Sequence, residues 1–454
     1  VLAETPELAR ALLVGGCVRD WLLGRAVKDF DVEVYGLDNE TLVRALGRWG
    51  RADLVGRSFG VVKLSLAPGL VVDFSLPRRD SKTGPGHRGF AVATDPGLEP
   101  GEAALRRDFT INALLFDPRR RVLLDPLGGE ADLRARRLRH TGPRFADDPL
   151  RVLRGMQFCG RFRLTPDAGT LALCRQMVPT GPELPVERVR EEWFKWATRS
   201  EEPGRGLRFL ADSGWLVHFP ELAALEGLPQ DPEWHPEGDV LTHTGHCVDA
   251  LAGLPVWQAA AEPDRLVLML AVLLHDTGKA TCTREETRDG RVRIISPGHE
   301  SAGGPLAERF LARLAVPEVV VNRIVPLVVN HLAHLAEPTP RATRRLAARL
   351  HPAHITELAV VITADASGRP PRPPGEPAGA RALLDAARQL TLTDRGPRPL
   401  LLGRHLMAAG LAPGPSFGPL LQEAFEAQLD GDFADAPGAA RWLEARLARG
   451  PAPS

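Results

Sequence analysis

The sequence predicts an α+β chain, with a mixed α/β head followed by a long and almost wholly helical remainder. Three observations carry this. Up to about residue 140, short β-like apolar runs (12–14, 30–34, 61–66, 70–74 and 113–116) alternate with helical stretches such as 39–49. From Pro149 onward, apolar residues recur at three- and four-residue spacing through segments 149–162, 168–177, 186–199, 205–213, 241–256, 264–276, 302–315, 317–334, 341–350 and 355–365. The Pro-dense stretch GRPPRPPGEPAG (368–379) then breaks the pattern and reads as an extended linker before a last helical segment and a frayed GPAPS tail.

At 454 residues the chain is too long for one core. The expected organisation is a head over 1–142, a first helical segment over 143–215, a larger helical domain over 216–368, a linker over 369–380 and C-terminal helices over 381–454. Formal net charge is zero, so no global field draws the chain to nucleic acid, and any such surface must be local. Five scattered cysteines without a C-x-x-C pair argue against a disulfide framework or zinc ribbon. The strongest apolar run, 266–274, is too short to span a bilayer. No signal peptide opens the sequence, and the expectation is a cytoplasmic protein without membrane attachment.

The most informative stretch is LVGGCVRDWLLGRAVKDFD (13–31). Gly15 and Gly16 allow backbone N–H groups to approach a phosphate, and Arg19 adds a charged fork. Asp29 and Asp31 stand two apart, so on a strand they share a face and suit an oxygen-loving cation such as Mg²⁺. Residues 61–75 read as a hairpin around Pro68-Gly69, and Asp73 sits between Val72 and Phe74 where core packing would not place a carboxylate. Three acids on adjacent strands suit a two-metal site for phosphoryl or nucleotidyl transfer.

Four blocks, LVGGCVRDWLLGRAVKDFDVEV, RRDFTINALLFDP (106–118), DPLGG (125–129) and FADDPLRVLRGMQF (145–158), together resemble the class II tRNA nucleotidyltransferases. These are the bacterial CCA-adding enzymes and their poly(A) polymerase relatives, built on a polymerase β-like head and a helical neck. The resemblance implies catalytic roles for Asp29, Asp31 and Asp73, triphosphate contact at Gly15, Gly16 and Arg19, and a nucleotide pocket lined by Arg107, Asp108 and Asn112, with Ile111–Phe116 as a buried strand. Asp148, Arg151 and Arg154 stand three apart, which predicts one helix face. An Asp acceptor and an Arg donor can together read a base edge, and in the family this helix replaces a nucleic-acid template. Asp148 and Arg151 are the expected base readers. Asp147 stands where the family usually has Glu, and Gln157 where it has a further Arg, which takes a charge from the pocket. The basic segment 76–90 corresponds to a loop that the family uses for the final A.

Downstream, EWHPEGDVLTHT (233–244), LLHDTGK (273–279) and GHESAGGP (298–305) resemble the HD phosphohydrolase domain fused to such enzymes, and 400–421 resembles their C-terminal segment. His243, His275, Asp276 and Asp365 are the expected ligands of a divalent or transition metal, with His299 and His331 as further candidates. Adjacent His275 and Asp276 would diverge by about 100° on a continuing helix. A helix end within about two residues of Asp276 is therefore expected, with Gly278 as the stop.

The resemblance implies tRNA, CTP and ATP as partners and Mg²⁺ in the head. CC-only, A-only and poly(A) addition remain open within the class. A hydrolase with an RNA-binding head remains open outside it.

Overall fold

The computed structural model describes residues 1–27, 29–55, 61–82, 90–288 and 290–449. The chain divides into two compact units, Val1–Phe219 and Pro220–Ser454.

The first unit opens with β1 (Ala11–Val14), α1 (Gly16–Leu22), β2 (Phe30–Val34), α2 (Asn39–Leu46), β3 (Arg51–Val55), β4 (Val61–Ala67) and β5 (Leu70–Ser75). A small hairpin, β6 (Arg78–Lys82) with β7 (Phe90–Thr94), precedes α3 (Pro100–Ala104), β8 (Leu115–Asp117), β9 (Val122–Leu124) and α4 (Gly129–Arg134). Two-residue strands β10 (Arg137–Leu138) and β11 (Thr165–Pro166) pair across α5 (Leu150–Phe162). Helices α6 (Ala168–Gln176), α7 (Val186–Arg199) and α8 (Pro203–Asp212) complete the unit.

The main sheet has seven strands in the order β3-β4-β5-β2-β1-β8-β9, antiparallel except for the parallel pair β2/β5. Alternation explains its two sides. Val32, Val34, Val62, Leu64 and Phe74 bury against Leu42 and Leu46 of α2, while Leu12, Val14 and Leu115 belong to a second cluster with Tyr35 and Leu98. The Asp38 side chain caps α2 by accepting from Thr41 N at 2.8 Å, which fixes where that helix starts.

The expected β runs are present, with one correction. Ile111–Phe116 is not a continuous strand, because Thr110–Asn112 forms a 3₁₀ turn and pairing begins only at Leu115. The basic segment 76–90 is also more ordered than a plain loop, since its arms pair as β6 and β7. Its tip, 83–89, lies outside the described residues, as does the tail 450–454.

The second unit contains α9 (Pro220–Ala223), α10 (Val240–Gly253), α11 (Pro255–Ala259), α12 (Glu262–Leu274) and α13 (Lys279–Cys282). Next come the hairpin β12 (Arg284–Arg288)/β13 (Arg291–Ile295), α14 (His299–Arg313), α15 (Glu318–Val329), α16 (Pro340–Leu350) and α17 (Ile355–Ser367). Helices α18 (Ala378–Gln389), α19 (Gly403–Ala408), α20 (Phe417–Asp430) and α21 (Ala436–Ala448) end it. The hairpin corrects the all-helical expectation: Thr287 and Val292 favour strands, but the charged residues around them mask the signal. The helix expected over 317–334 ends at Val329, and 333–335 is a separate 3₁₀ turn.

Helix α12 is apolar nearly all round, with Leu266–Leu274 buried, so it is the core helix of this unit. It ends at Leu274, with His275 as C-cap, in agreement with the expected terminus. Gly278 does not act as a left-handed stop, since its φ is −63°. It is required for close approach instead: a Cβ there would lie 1.9 Å from His299 O and 2.6 Å from Gly303 N. Gly278→Ala should therefore force α13 and α14 apart and destabilise the protein by about 1–3 kcal/mol, read as a lowered thermal midpoint. An unchanged midpoint would contradict this packing.

Candidate active sites

In the head, β1 delivers the chain to Gly15, whose φ of +73° is accessible to glycine at low cost. A Cβ at Gly15 would lie 2.7 Å from Arg107 Nη1, so this turn also needs the empty space. Gly16 begins α1. Arg19 on α1 is buried, and its guanidinium donates to Asn112 Oδ1 and to Asp20 Oδ1 while lying 4.3 Å from the Phe162 ring centroid. Asn112 Nδ2 donates to Asp108 Oδ1 at 2.8 Å, and Arg154 Nε donates to Asp108 Oδ2 at 2.6 Å. A buried polar chain, Arg19–Asn112–Asp108–Arg154, thus ties α1 to the turn after Asp108 and to α5. Burial works against the Asp108 carboxylate, but Arg154, Asn112 and the Phe109 N–H outweigh it and hold the group below the usual carboxylate range.

Two of the three metal-type acids meet across the sheet as the strand pattern requires, and the third lies just outside the strand. Asp31 and Asp73 face each other in register across the parallel pair β2/β5, and exposed Asp29 precedes β2. Desolvation raises the Asp31 carboxyl; Arg107 opposes this, and the Asp73 and Asp29 charges add to it. Lys63 on β4 sits 2.9 Å from Asp73 Oδ2. Mutually repelling carboxylate oxygens fit Mg²⁺ by donor type.

One residue here escaped sequence reasoning. Glu33, two positions beyond Asp31 on the same strand face, is buried and accepts from Arg106 and from Tyr35 OH (2.7 Å), with Arg107 Nη2 at 4.0 Å. It anchors both arginines beside the acidic cluster. The continuing two-residue spacing was the available signal.

The expected base-reading face is only partly present. Asp148 is extended (φ −119°, ψ 103°) and precedes α5, because Pro149 disfavours a helical residue before it. Its side chain caps the helix at Leu150 N (3.1 Å) and pairs with Arg188 of α7 at 3.0 Å. Arg151 donates to the carbonyls of Arg144 (2.8 Å) and Arg106, and Arg154 is committed to Asp108. Gln157 is 1% exposed and leaves its Nε2 without a hydrogen-bond partner among the described residues.

In the second unit four imidazoles converge. His275, His299 and His331 each direct Nδ1 to the carbonyl three residues earlier, Val272, Ser296 and Val328, at 2.7 Å. A carbonyl only accepts, so each Nδ1 carries the proton and each Nε2 presents a lone pair. His299 Nε2 and His331 Nε2 nevertheless lie 3.2 Å apart, and buried His275 Nε2 has no hydrogen bond among the described residues. Asp276 reaches both groups, with Oδ2 at 3.3 Å from His275 and 3.5 Å from His243, and Oδ1 at 3.2 Å from His299. Asp365 Oδ1 lies 3.1 Å from His243 Nε2. Lone pairs aimed at one another in a buried site fit a cation. Burial, with His275 adding, depresses His331 to about 3, so it stays a neutral donor. Every sequence-named residue of this cluster is brought together.

His235, Glu237 and Cys247 were missed. Glu237 Oε1 lies 2.7 Å from His243 Nδ1 and 2.9 Å from His235 Nδ1, and Cys247 Sγ lies 3.3 Å from His243 Nε2. The His-x-Glu pair just ahead of the Asp239-capped helix α10 was the visible signal. 

The head sheet with its glycine turn and in-register acids defines a nucleotidyltransferase-type domain, followed by a mostly helical region. Comparison with known proteins agrees. The model of the poly(A) polymerase head domain matches residues 11–139. The multifunctional CCA protein of Xanthomonas campestris pv. campestris (strain B100) is 36% identical over 423 residues, covering 88% of this chain and 97% of the relative. That of Halorhodospira halophila is 39% identical over 333 residues, covering 71% and 74%. The fold is shared with the Bacillus stearothermophilus CCA-adding enzyme solved in complex with CTP, at TM-score 0.63, 21% identity, and 97% and 94% coverage. It is also shared with the Thermotoga maritima CCA-adding enzyme complexed with tRNA, at TM-score 0.58, 21% identity, and 96% and 91% coverage. The chain belongs to the multifunctional CCA protein family, within the bacterial CCA-adding and poly(A) polymerase group of class II nucleotidyltransferases. Among the described residues no helix is long and apolar enough to cross a membrane.

Glu237→Ala should weaken binding of a divalent transition metal to the purified protein about 10–100-fold, measured by calorimetric titration. Glu237→Gln, which keeps an acceptor oxygen for His243 Nδ1, should retain most of the affinity. Equal affinity in the Ala variant would show that Glu237 does not orient His243.

Proposed function

We propose that this chain adds C and A to tRNA 3′ ends without a nucleic-acid template, using CTP and ATP, and that its second unit is a metal-dependent phosphohydrolase. The observation that carries the transferase reading is the in-register pair Asp31/Asp73 with Asp29 beside it, next to the Gly15 turn and Arg107. Family membership supports the substrates. Asp29 and Asp31 would hold Mg²⁺, which would supply charge neutralisation at the triphosphate; the terminal 3′-hydroxyl oxygen bonds the α-phosphorus as the bond to pyrophosphate breaks, and the hydroxyl proton leaves to solvent. The chain's own residues position the reactants: the glycine turn admits the triphosphate, and Arg19, Asp108 and Asn112 form the pocket floor. Asp148 and Arg151 present an acceptor and a donor to the incoming base, once the Arg188 and backbone contacts they make in the free protein are exchanged for it.

The convergent Nε2 atoms and the Asp276/Asp365 carboxylates support the hydrolase reading. There His243, His275, Asp276 and Asp365, with His299 and His331, would hold a divalent or transition metal that polarises the phosphoester. Water oxygen bonds phosphorus, the ester P–O bond breaks, and the released hydroxyl takes the proton. CC-only, A-only and poly(A) addition are outcomes the same assay separates.

Labelled CTP and ATP are offered separately to tRNAs lacking CCA, to tRNAs ending in CC, and to a non-tRNA oligonucleotide. Ordered C, C and A addition to tRNA alone is expected; indiscriminate A-tailing of the oligonucleotide would reassign the chain to poly(A) polymerase. Asp31→Ala should lower nucleotide addition by at least about a thousandfold and spare phosphoester hydrolysis. The His275→Ala/Asp276→Ala double variant should do the reverse. Loss of both activities in either protein, with folding intact, would refute the two-site reading.

A further inference from the structure

The cavity containing Asp276, His299 and His331 has a volume of about 430 Å³, which is nucleotide-sized. Its inner part is charged: Lys279 lies 2.8 Å from Asp276 and Arg369 lies 2.6 Å from Asp365. Its rim has a different character. Trp234 is 52% exposed and Leu335 72% exposed, and both line this same cavity. Neither side chain is used by the metal-type cluster. A large indole left in water beside a charged cavity marks a place where a flat apolar group binds.

The backbone that carries the indole is tied down, and a cation lies against the ring. Trp234 N donates to Asp231 O at 3.0 Å, and the Arg372 guanidinium carbon lies 5.4 Å from the ring centroid. Arg372 is itself fixed by donating to Glu233 O. It belongs to the Pro-rich stretch expected to be a bare linker, and its guanidinium instead lies against the indole, just outside the cavity lining. The cavity thus joins an exposed aromatic surface, backed by the Arg372 guanidinium, to two cations and a phosphoester-type cluster inside.

We propose that Trp234 and Arg372 form the nucleoside subsite of this cavity, with Trp234 the residue that distinguishes nucleotides from other phosphoesters. The base stacks on the indole, as bases do on exposed aromatic side chains, while the phosphate points inward to Lys279 and Arg369. This rests on the hydrolase reading of the cavity. A peptide or lipid does not match a rim of one indole and one guanidinium backed by cations.

The test uses the full chain, loaded with metal, and two phosphomonoesters, adenosine 2′-monophosphate and glycerol 2-phosphate, of which only the first carries a base. Trp234→Ala should raise KM for the nucleotide about tenfold, leave kcat within about twofold, and leave glycerol 2-phosphate hydrolysis unchanged. Trp234→Phe, which keeps a ring, should retain most of the nucleotide preference, and Arg372→Ala should lose part of it. Equilibrium dialysis of adenosine 2′-monophosphate against metal-stripped protein should show the same order of affinities. Equal losses on both esters, or no change on either, would overturn the subsite. If the wild-type protein hydrolyses neither ester, the hydrolase reading fails. Dialysis then still decides the subsite, because nucleotide binding that is unaltered in Trp234→Ala would overturn it.

Discussion

The head depends on a single parallel pairing in an otherwise antiparallel sheet. Strands β2 and β5 run the same way, and their register sets Asp31 beside Asp73. Parallel neighbours cannot be joined by a tight turn. The chain must therefore cross through α2, β3 and β4 before returning, and Lys63 on β4 arrives opposite Asp73 as part of that route. Two carboxylates directly across a ladder repel, and the sheet tolerates them because cations are built in on both sides, Lys63 at Asp73 and Arg107 near Asp31. Further along β2, Glu33 holds Arg106 and orients Arg107. The sequence of charges along one strand face is therefore an alternation between exposed acids that want a cation and a buried acid that already has its partners.

Much of this was legible because short-range rules govern it. The D-x-D spacing, the Pro-Gly hairpin and the β runs all follow from period-two alternation, and the structure reproduces the strands at 30–34, 61–67 and 70–75. The helix end ahead of Asp276 was legible for the same reason, since a geometric conflict between adjacent ligands allows only one resolution. The misses have physical causes. Spacing by threes assigned Asp148 to a helix that Pro149 does not let it join. In the β12/β13 hairpin the apolar residues Val292, Ile294 and Ile295 sit on one strand only, opposite the charged run of β12, so no sustained apolar period announces it.

Partners that come from distant segments cannot be read from spacing, and where such a pair was expected, as for His243 with Asp365, the expectation rested on the resemblance. Arg188 meets Asp148 across 40 residues, and His243 meets Asp365 across 122. Spacing says nothing about such pairs; only the packing of α7 on α5, or of α10 on α17, creates them. The same holds for Arg372, whose neighbours Pro371 and Pro373 suggest a spacer while its side chain reaches Trp234. Glu237 is an intermediate case. Its spacing from His235 was visible, but its role depends on His243 presenting Nδ1 to it.

The pinned imidazoles have a further consequence for how the chain sorts ions. The head offers only carboxylate oxygens, whereas the second unit offers four nitrogens with two carboxylates. Ligand softness differs between these sets, and first-row transition ions prefer nitrogen to oxygen. On the proposed two-site reading, the oxygen donors of the head suit an alkaline-earth cation, and the nitrogen-rich set of the second unit suits a transition ion. If both proposed activities hold, scarcity of transition ions would silence the second while leaving the first at work, and trace-metal supply would set which reaction the molecule performs.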